Sequence, residues 1–357
     1  MNIWMLLAVV AMIFLVIFQI AKASEYVNVL KGEKKSREQG NKINAFLMLA
    51  FLIVGLAGAY WCHVLLTPQT LFPQGSASVE GEQIDFMFIV TLWVTGAVFV
   101  LTQVCLFLFS YLYQEKEGRK AIYLPHNNKL EMIWTIIPAI FLTVLVVIGL
   151  RHWFKITGDP PKNAMVVEIV GQQFGWTYRY PGNDGVLGKR SFKLINPEKN
   201  NGLGQDWNDK ANNDDKIPTV MLLVKNKPVK LVIGSKDVIH DVGLPHFRLK
   251  MDAVPGIPTT LWFTPKWTTT EMRQRTGNPD FEYEIVCDQL CGQSHYAMRG
   301  VIQVVTQEEY DAELSKIKPN YFAAFPDKDP ANQKAKTDTV APAVSKAAGA
   351  PTGKASR

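Results

Sequence analysis

The 357-residue sequence contains only four cysteines, and none of them lies in a C-x-x-C-H motif. Covalent attachment of a c-type haem needs that motif, so a fused haem domain of this type is excluded. The sequence also lacks a glycine-rich phosphate-binding loop, an internal repeat and a nucleic-acid-binding motif. These absences argue against nucleotide-binding, repeat and nucleic-acid-binding proteins. Basic loops and a basic tail account for the net charge of +6.

Charged residues are almost absent from four apolar runs in the first half of the chain. A transmembrane helix needs about 20 residues to cross a hydrocarbon core about 30 Å thick. The runs are that long, or nearly so, and cover residues 3–20, 45–66, 86–113 and 132–150. We therefore predict four transmembrane helices and a polar half that begins at Arg151.

The loop between the second and third runs contains no Lys or Arg, whereas the loops on either side of it are basic. The basic residues are Lys22, Lys31, Lys34, Lys35, Arg37 and Lys42 in the first loop, and Lys116, Arg119, Lys120 and Lys129 in the third. Because Lys and Arg are retained on the cytoplasmic side, residues 151–357 are expected on the outer face. A cleaved signal peptide over residues 1–23 is the alternative, since Ala21 and Ala23 form an A-x-A site.

The polar half is predicted to be β-structure. Short runs rich in β-branched and aromatic residues cover 165–171, 174–180, 219–225, 228–234, 281–286 and 299–305. Such runs at short intervals predict a sandwich or a small barrel. A single helix is expected after Thr306, which forms a capping box with Glu309. Residues 196–216 are predicted to be an exposed polar loop, and the tail from about Asp327 is predicted to be disordered.

The stretch CDQLCGQSHYAM, residues 287–298, brings Cys287, Cys291, His295 and Met298 close together in the sequence. On an outer face, a disulfide between the two cysteines is one interpretation, and structural zinc is another. Methionine is a poor zinc ligand, whereas thiolate, imidazole and thioether together favour copper. Two thiolates can bridge a pair of copper ions. A further imidazole is then needed, and His240 and His246 in SKDVIHDVGLPHF are both candidates.

Four motifs in this order resemble subunit II of cytochrome c oxidase: residues 129–140, 175–182, 235–256 and the C-x-x-x-C-x-x-x-H-x-x-M string. The resemblance covers roughly residues 85–320. It implies N-terminal transmembrane α-helices, four here, of which the last two form the family hairpin. It also implies a C-terminal all-β cupredoxin-like sandwich with a dinuclear copper A centre. The expected organisation is an extra N-terminal region, the hairpin, the copper domain and a disordered tail: residues 1–84, 85–153, 154–320 and 321–357.

The resemblance implies a ligand set of two bridging thiolates, two terminal imidazoles, a weak thioether and a weak carbonyl: Cys287, Cys291, His240, His295, Met298 and Gln289. His246 then has no role. The family usually has Glu at the position of Gln289, where the carboxylate also reaches a magnesium site shared with the catalytic subunit. A neutral amide binds a hard cation more weakly, so we expect reduced magnesium binding.

Other positions also bear on function. The family commonly has Trp at Phe174, where electrons arrive from cytochrome c, while Trp176 and Tyr178 match its aromatic cluster. Arg179 stands where an acidic residue is common, which is expected to alter the surface that faces a basic donor. Glu131 matches a glutamate near the mouth of a proton path. A helix start favours a carboxylate there in any case.

The resemblance implies the electron-accepting subunit of a proton-pumping bacterial oxidase. A c-type cytochrome is the expected donor, and haem in the catalytic subunit I reduces oxygen to water. Subunit III is a further expected partner, and haem belongs to the partner alone. The expected location is the bacterial inner membrane, with the copper domain on the periplasmic face. The alternatives are the copper A subunit of a nitric oxide reductase and a copper carrier or assembly protein.

Overall fold

The structure, a computed structural model, describes residues 3–333 and divides them into two compact units. The first unit contains the residues up to Pro73 and Ile84–Leu150. The second contains Gln74–Gln83 and the residues from Arg151 onward. The segment Gln74–Gln83, which the sequence assigned to the N-terminal region, therefore groups with the polar half.

Four long helices confirm the predicted spans: α1 (Ile3–Lys31), α2 (Glu33–Leu66), α3 (Val79–Leu112) and α4 (Asn128–Thr157). Among the described residues, these are the helices long and apolar enough to cross a membrane. The first basic segment was predicted to be a loop, and this is wrong. Its Lys and Glu residues are good helix formers, and only Gly32, with a φ of 82°, interrupts the helix.

The two basic segments of the first unit lie beside each other. Lys34, near the start of α2, pairs with Glu117 in the segment between α3 and α4. The two segments must therefore lie on the same side of a membrane, as the loop charges require. The direction in which the chain crosses the membrane stays a prediction.

The second unit is a sandwich of two sheets. Its strands are β1 (Met165–Gln172), β2 (Gly175–Arg179), β3 (Met221–Val224), β4 (Val229–Ser235), β5 (His240–Leu244), β6 (Leu249–Ala253), β7 (Thr259–Phe263), β8 (Tyr283–Cys287) and β9 (Arg299–Val305). One sheet has the order β2-β1-β4-β7, and the other has the order β3-β9-β8-β5-β6. β1 pairs in parallel with β4, β3 pairs in parallel with β9, and the other neighbours are antiparallel.

The core of the sandwich consists of inward-facing β-branched and aromatic side chains. Ile169, Ile233, Phe263 and Ile285 are fully buried. Burial of one such side chain contributes about 1.5–3 kcal/mol. The six predicted strands are confirmed.

Three strands were not predicted. β5 reads HDVGL, with a single β-branched residue, and β6 reads LKMDA, with none, so neither stood out as a run rich in β-branched and aromatic residues. β7 reads TTLWF, whose β-branched and aromatic residues are typical of a strand, so its signal was present in the sequence. His240, one of the candidate ligands, is the first residue of β5.

Two helices in the second unit were also missed, beside the predicted α6 (Gln307–Lys316) with its capping box. They are α5 (Thr269–Thr276), which has its own capping box, and α7 (Asn320–Ala324). Residues 321–333, which the sequence assigned to the disordered tail, are therefore structured. The rest of the predicted tail lies outside the described residues.

The segment 196–216 is not simply an exposed loop. It buries four polar residues: Asn201, Gln205, Asn212 and Asp215. Asn212 and Asp215 contact Arg179, while Asn320 donates a hydrogen bond to Gln205. The segment is therefore part of the packed domain.

Candidate metal centre

The two cysteines of the predicted ligand string lie side by side. Cys287 is the last residue of β8, Cys291 lies in the following loop, and their Sγ atoms are 3.7 Å apart. A disulfide has an S–S distance of about 2.05 Å. Both thiols are free, so the disulfide interpretation is not supported.

His240 supplies an imidazole next to Cys287. It is fully buried, and its Nδ1 lies 3.9 Å from Cys287 Sγ. Its other nitrogen, Nε2, lies 2.8 Å from Asp237 Oδ1. A carboxylate on the far nitrogen fixes the proton there, which leaves Nδ1 free to bind a metal.

The string itself supplies the remaining side-chain donors. His295 Nδ1 and Met298 Sδ lie 3.7 and 3.8 Å from Cys291 Sγ. Met298 is only 1% exposed, and its carbonyl accepts a hydrogen bond from the Cys287 N–H. The loop after β8 therefore returns to the start of β9 with both donors facing the thiols.

The backbone carbonyl of Gln289 completes the group. It lies 3.1 Å from Cys287 Sγ, whereas the Gln289 side chain is exposed. The carbonyl position is set by the loop backbone and not by the side chain. All six residues that the sequence predicted as ligands are thus brought to one end of the sandwich.

The donor chemistry of this group fits copper. Nδ1 of His240 and the Sγ atoms of both cysteines lie within 4.8 Å of one another, which is close enough to share metal ions. Burial raises the pKa of the Cys291 thiol, and the neighbouring Cys287 raises it further. The raised pKa favours the neutral Cys291 thiol until a cation binds beside it. Thiolate, imidazole and thioether together select a soft metal such as copper.

Comparisons with known proteins agree with this chemistry. The profile of the cytochrome c oxidase subunit II periplasmic domain matches residues 165–305, and that of the subunit II transmembrane domain matches residues 66–151. An alternative cytochrome c oxidase subunit 2 of Bradyrhizobium diazoefficiens is 37% identical over 66% of this chain and 80% of the relative. This chain belongs to the cytochrome c oxidase subunit II family. It is therefore part of a haem–copper terminal oxidase, a membrane protein with a periplasmic domain, and its family implies copper A.

Other relatives are more distant. Cytochrome c oxidase subunit 2 of Cereibacter sphaeroides is 27% identical over 69% of this chain and 79% of the relative. The solved periplasmic domain of subunit II of cytochrome oxidase from Bradyrhizobium japonicum is 22% identical. It covers 44% of this chain and 94% of its own, with a TM-score of 0.30.

The aromatic residues that the subunit II resemblance singles out have different surroundings. Trp176 packs against the cluster of Cys287, Cys291 and Met298, and its ring centroid lies 6.0 Å from that of His240 in an edge-on arrangement. Phe174 is 39% exposed. Tyr178 is 2% exposed, and burial raises its pKa. Phe174 thus reaches solvent, Trp176 covers the sulfurs, and Tyr178 belongs to the core.

Arg179 does not alter the donor-facing surface as predicted, because it is 2% exposed. Its Nε donates to Glu168 at 2.5 Å and its Nη1 donates to Asp215 at 2.8 Å. Asp215 comes from the packed segment 196–216. Burial raises the pKa of Asp215 to about 6, against the opposing charge of Arg179. The Arg179 guanidinium is therefore paired with carboxylates inside the domain and does not lie on a surface that a partner could contact.

His246, the second candidate ligand, does not join the metal-binding group. It lies in a short turn, Pro245–Phe247, and its ring stands edge-on to Phe281 and Tyr283. Burial lowers its pKa. The choice of His240 that the resemblance implies therefore agrees with the geometry.

Glu131 lies in the first turn of α4. Its Oε1 accepts a hydrogen bond from the Asn127 N–H at 3.4 Å, while Asn127 Oδ1 accepts from the Leu130 N–H. These contacts stabilise the start of the helix. A role in proton uptake stays a prediction.

Two polar residues beside the ligands were missed by sequence reasoning. Asp237 holds His240, and Gln173 donates hydrogen bonds to both Asp237 and the Cys291 carbonyl. For Asp237 a signal was present, since it precedes His240 by three residues in SKDVIH. For Gln173 there was none, because its contacts depend on the pairing of distant strands.

Proposed function

We propose that this chain accepts electrons from a c-type cytochrome at a dinuclear copper A centre. In this proposal the electrons pass on to haem in the catalytic subunit, where oxygen is reduced to water and protons are pumped. The proposed ligands are Cys287, Cys291, His240, His295, Met298 and the carbonyl of Gln289. The convergence of these six donors at one end of the sandwich is the observation that carries the proposal.

When bound, a copper pair would supply a one-electron redox couple, and Cys287 and Cys291 would be among the residues that hold it. The chain's own residues hold the donors and exclude water. Trp176 packs over the sulfur cluster, and Asp237 orients His240. Gly171 leaves room for the ligand, because a Cβ there would lie 2.9 Å from Cδ2 of His240. Phe174 offers an exposed aromatic surface beside the centre for contact with the donor.

The partners follow from this role. We propose the catalytic subunit I, subunit III and a c-type cytochrome as partners, and the bacterial inner membrane as the location. Residues 85–153 would anchor the copper domain, residues 154–320, on the periplasmic side. The absence of Lys and Arg from the loop after α2 and the contact between the two basic segments support this orientation.

The test is metal and haem analysis of the intact membrane complex that contains this chain. We expect two coppers per chain and an electron spin resonance spectrum of one electron delocalised over both ions. A single copper with a one-ion spectrum, or a stable Cys287–Cys291 disulfide after copper loading, would contradict the proposal. Haem in a co-purified subunit that consumes oxygen identifies the expected partner.

A further inference from the structure

The hairpin between β1 and β2 ends in a two-residue loop at the metal-binding end of the sandwich. Gln172 pairs with Gly175 as the last pair of the ladder, so Gln173 and Phe174 form the loop. Both loop residues are exposed. The loop therefore lies where a donor protein can reach it.

Gln173 connects this loop to both sides of the metal-binding group. Its backbone N–H donates to Asp237 Oδ2 at 2.8 Å, and the other oxygen of Asp237 holds His240. Its side-chain Nε2 donates to the carbonyl of Cys291 at 2.6 Å. Gln173 is thus hydrogen-bonded to Asp237, which contacts the imidazole of His240, and to the backbone of Cys291.

Phe174 is held against the same thiolate loop. A Cβ on Gly292 would lie 2.8 Å from Gln173 Nε2 and 3.0 Å from Cζ of Phe174. Gly292 also has a φ of 137°, which favours glycine. The absence of a side chain at Gly292 lets both loop residues approach the backbone next to Cys291.

We infer that Gln173 is a positioning residue for electron acceptance, which seats the exposed Phe174 ring on the backbone that carries the Cys291 thiolate. This inference rests on the proposed function. Two routes then lead from the Phe174 ring to Cys291. One follows covalent bonds through Gln173 and the hydrogen bond from its side chain to the Cys291 carbonyl. The other crosses the close contact between the ring and Gly292. Without the amide donor, the loop keeps its link to Asp237 but loses its link to Cys291.

Gln172 provides a matched control. It is also an exposed glutamine at the end of β1, but its side chain accepts a hydrogen bond from Lys236 Nζ at 2.6 Å. Its side chain therefore points to a lysine and not to the loop of Cys291. Gln172→Leu and Gln173→Leu remove the same chemical group, and only Gln173→Leu removes the link to a ligand residue.

The first measurement uses the copper-free full chain in membranes, with hydrogen exchange followed by mass spectrometry. Gln173→Leu should speed exchange of the hydrogen-bonded amides in the peptide over residues 287–298, those of Cys287, His295, Ala297 and Met298, by about fivefold, the factor for one ordinary hydrogen bond. Gln173→Glu should do the same, because a carboxylate repels the Cys291 carbonyl. Gln172→Leu should have no effect there. This readout does not require a variant to load copper.

The second measurement is the rate of electron injection from a photoreduced cytochrome into the copper-loaded oxidase. Gln173→Leu should slow this rate by roughly tenfold, because a small displacement at a reactive contact is costly. The spin resonance spectrum should be unchanged, since the backbone donor to Asp237 remains.

The inference is overturned if Gln173→Leu matches Gln172→Leu in either measurement. Faster exchange with an unchanged injection rate would show a structural role alone. If the unsubstituted chain itself accepts no electrons, the proposed function fails, and this outcome is recognised before any variant is compared.

Discussion

The Sγ atoms of Cys287 and Cys291 lie 3.7 Å apart, with His240 Nδ1 beyond one sulfur and His295 Nδ1 beyond the other. This separation is too wide for a disulfide, and these two thiols and two imidazoles would together hold the proposed copper centre. The geometry leads directly to a test of the shared thiolates.

Replacing either thiol should destroy the two-ion centre. Cys287→Ser or Cys291→Ser leaves one thiolate, so copper content should fall to at most one ion and the delocalised spin resonance spectrum should disappear. Cys105→Ser, which changes a free cysteine in α3, is the control and should retain both features. Retention of two coppers in either single variant would contradict bridging.

Asp237 should matter for copper retention although it is not a proposed ligand. Asp237→Asn weakens the acceptor that holds Nε2 of His240, and loss of such a partner typically weakens metal binding by about 10–100-fold. Competition with a copper chelator measures the effect. Asp280→Asn changes an exposed carboxylate in a turn and should leave copper affinity unaltered. Equal affinities in both variants would show that the Asp237 contact is incidental.

Four of the six proposed ligands, Cys287, Cys291, His295 and Met298, could be predicted because they lie within twelve residues, where types and spacing can be read together, whereas the carbonyl of Gln289 was implied only by the family resemblance. His240 lies 47 residues before Cys287, and only the family resemblance distinguished it from His246. Gln173 lies 118 residues from Cys291. No local pattern encodes a contact that forms only when two sheets close around the core.

The same reason explains the wrong prediction for Arg179. A charged residue in a strand is normally exposed, but here the segment 196–216 supplies Asn212 and Asp215 to surround it. The run of Asn and Asp in that segment has the composition of an exposed loop. Its burial could not be predicted from composition, because it depends on pairing with a cation on another element.

Arg179 should be important for stability. Arg179→Met leaves Asp215 buried without its cation and Glu168 with Arg190 alone, and breaking a buried pair from one side costs about 3–5 kcal/mol. Chemical denaturation of the copper-loaded protein measures the free energy of unfolding. Lys193→Met, at an exposed position, should change it little. A similar small change for Arg179→Met would mean that hydrophobic packing replaces the ion pairs.

His246 should make the domain sensitive to acid. Burial lowers its pKa below the ordinary 6.5, Glu284 opposes this shift, and Arg248 adds to it. The folded protein thus favours the neutral ring. This contribution to stability is complete above pH 6.5 and is lost as the pH falls through the lower folded-state pKa. We expect His246→Phe to lose less stability than the unsubstituted protein between about pH 7.5 and pH 5. Denaturation midpoints at both pH values measure it, and equal losses would refute it.

Gln289 separates two functions that the family usually combines at one position. Its carbonyl lies 3.1 Å from Cys287 Sγ, while its side chain is exposed. Gln289→Ala should therefore retain the copper spectrum, because the backbone atom remains. Gln289→Glu should strengthen binding of a divalent ion at the boundary with the catalytic subunit, since an anionic oxygen attracts a hard cation better than an amide does.

Manganese, as a surrogate for magnesium, can be measured by spin resonance in three forms of the assembled oxidase: the unsubstituted protein, the Gln289→Ala variant and the Gln289→Glu variant. Tighter manganese binding in Gln289→Glu alone, with the copper signal constant in all three proteins, is the expected result. Manganese held tightly and equally in every protein would show that other residues supply the ligands. In that case the neutral side chain of Gln289 would not weaken the site.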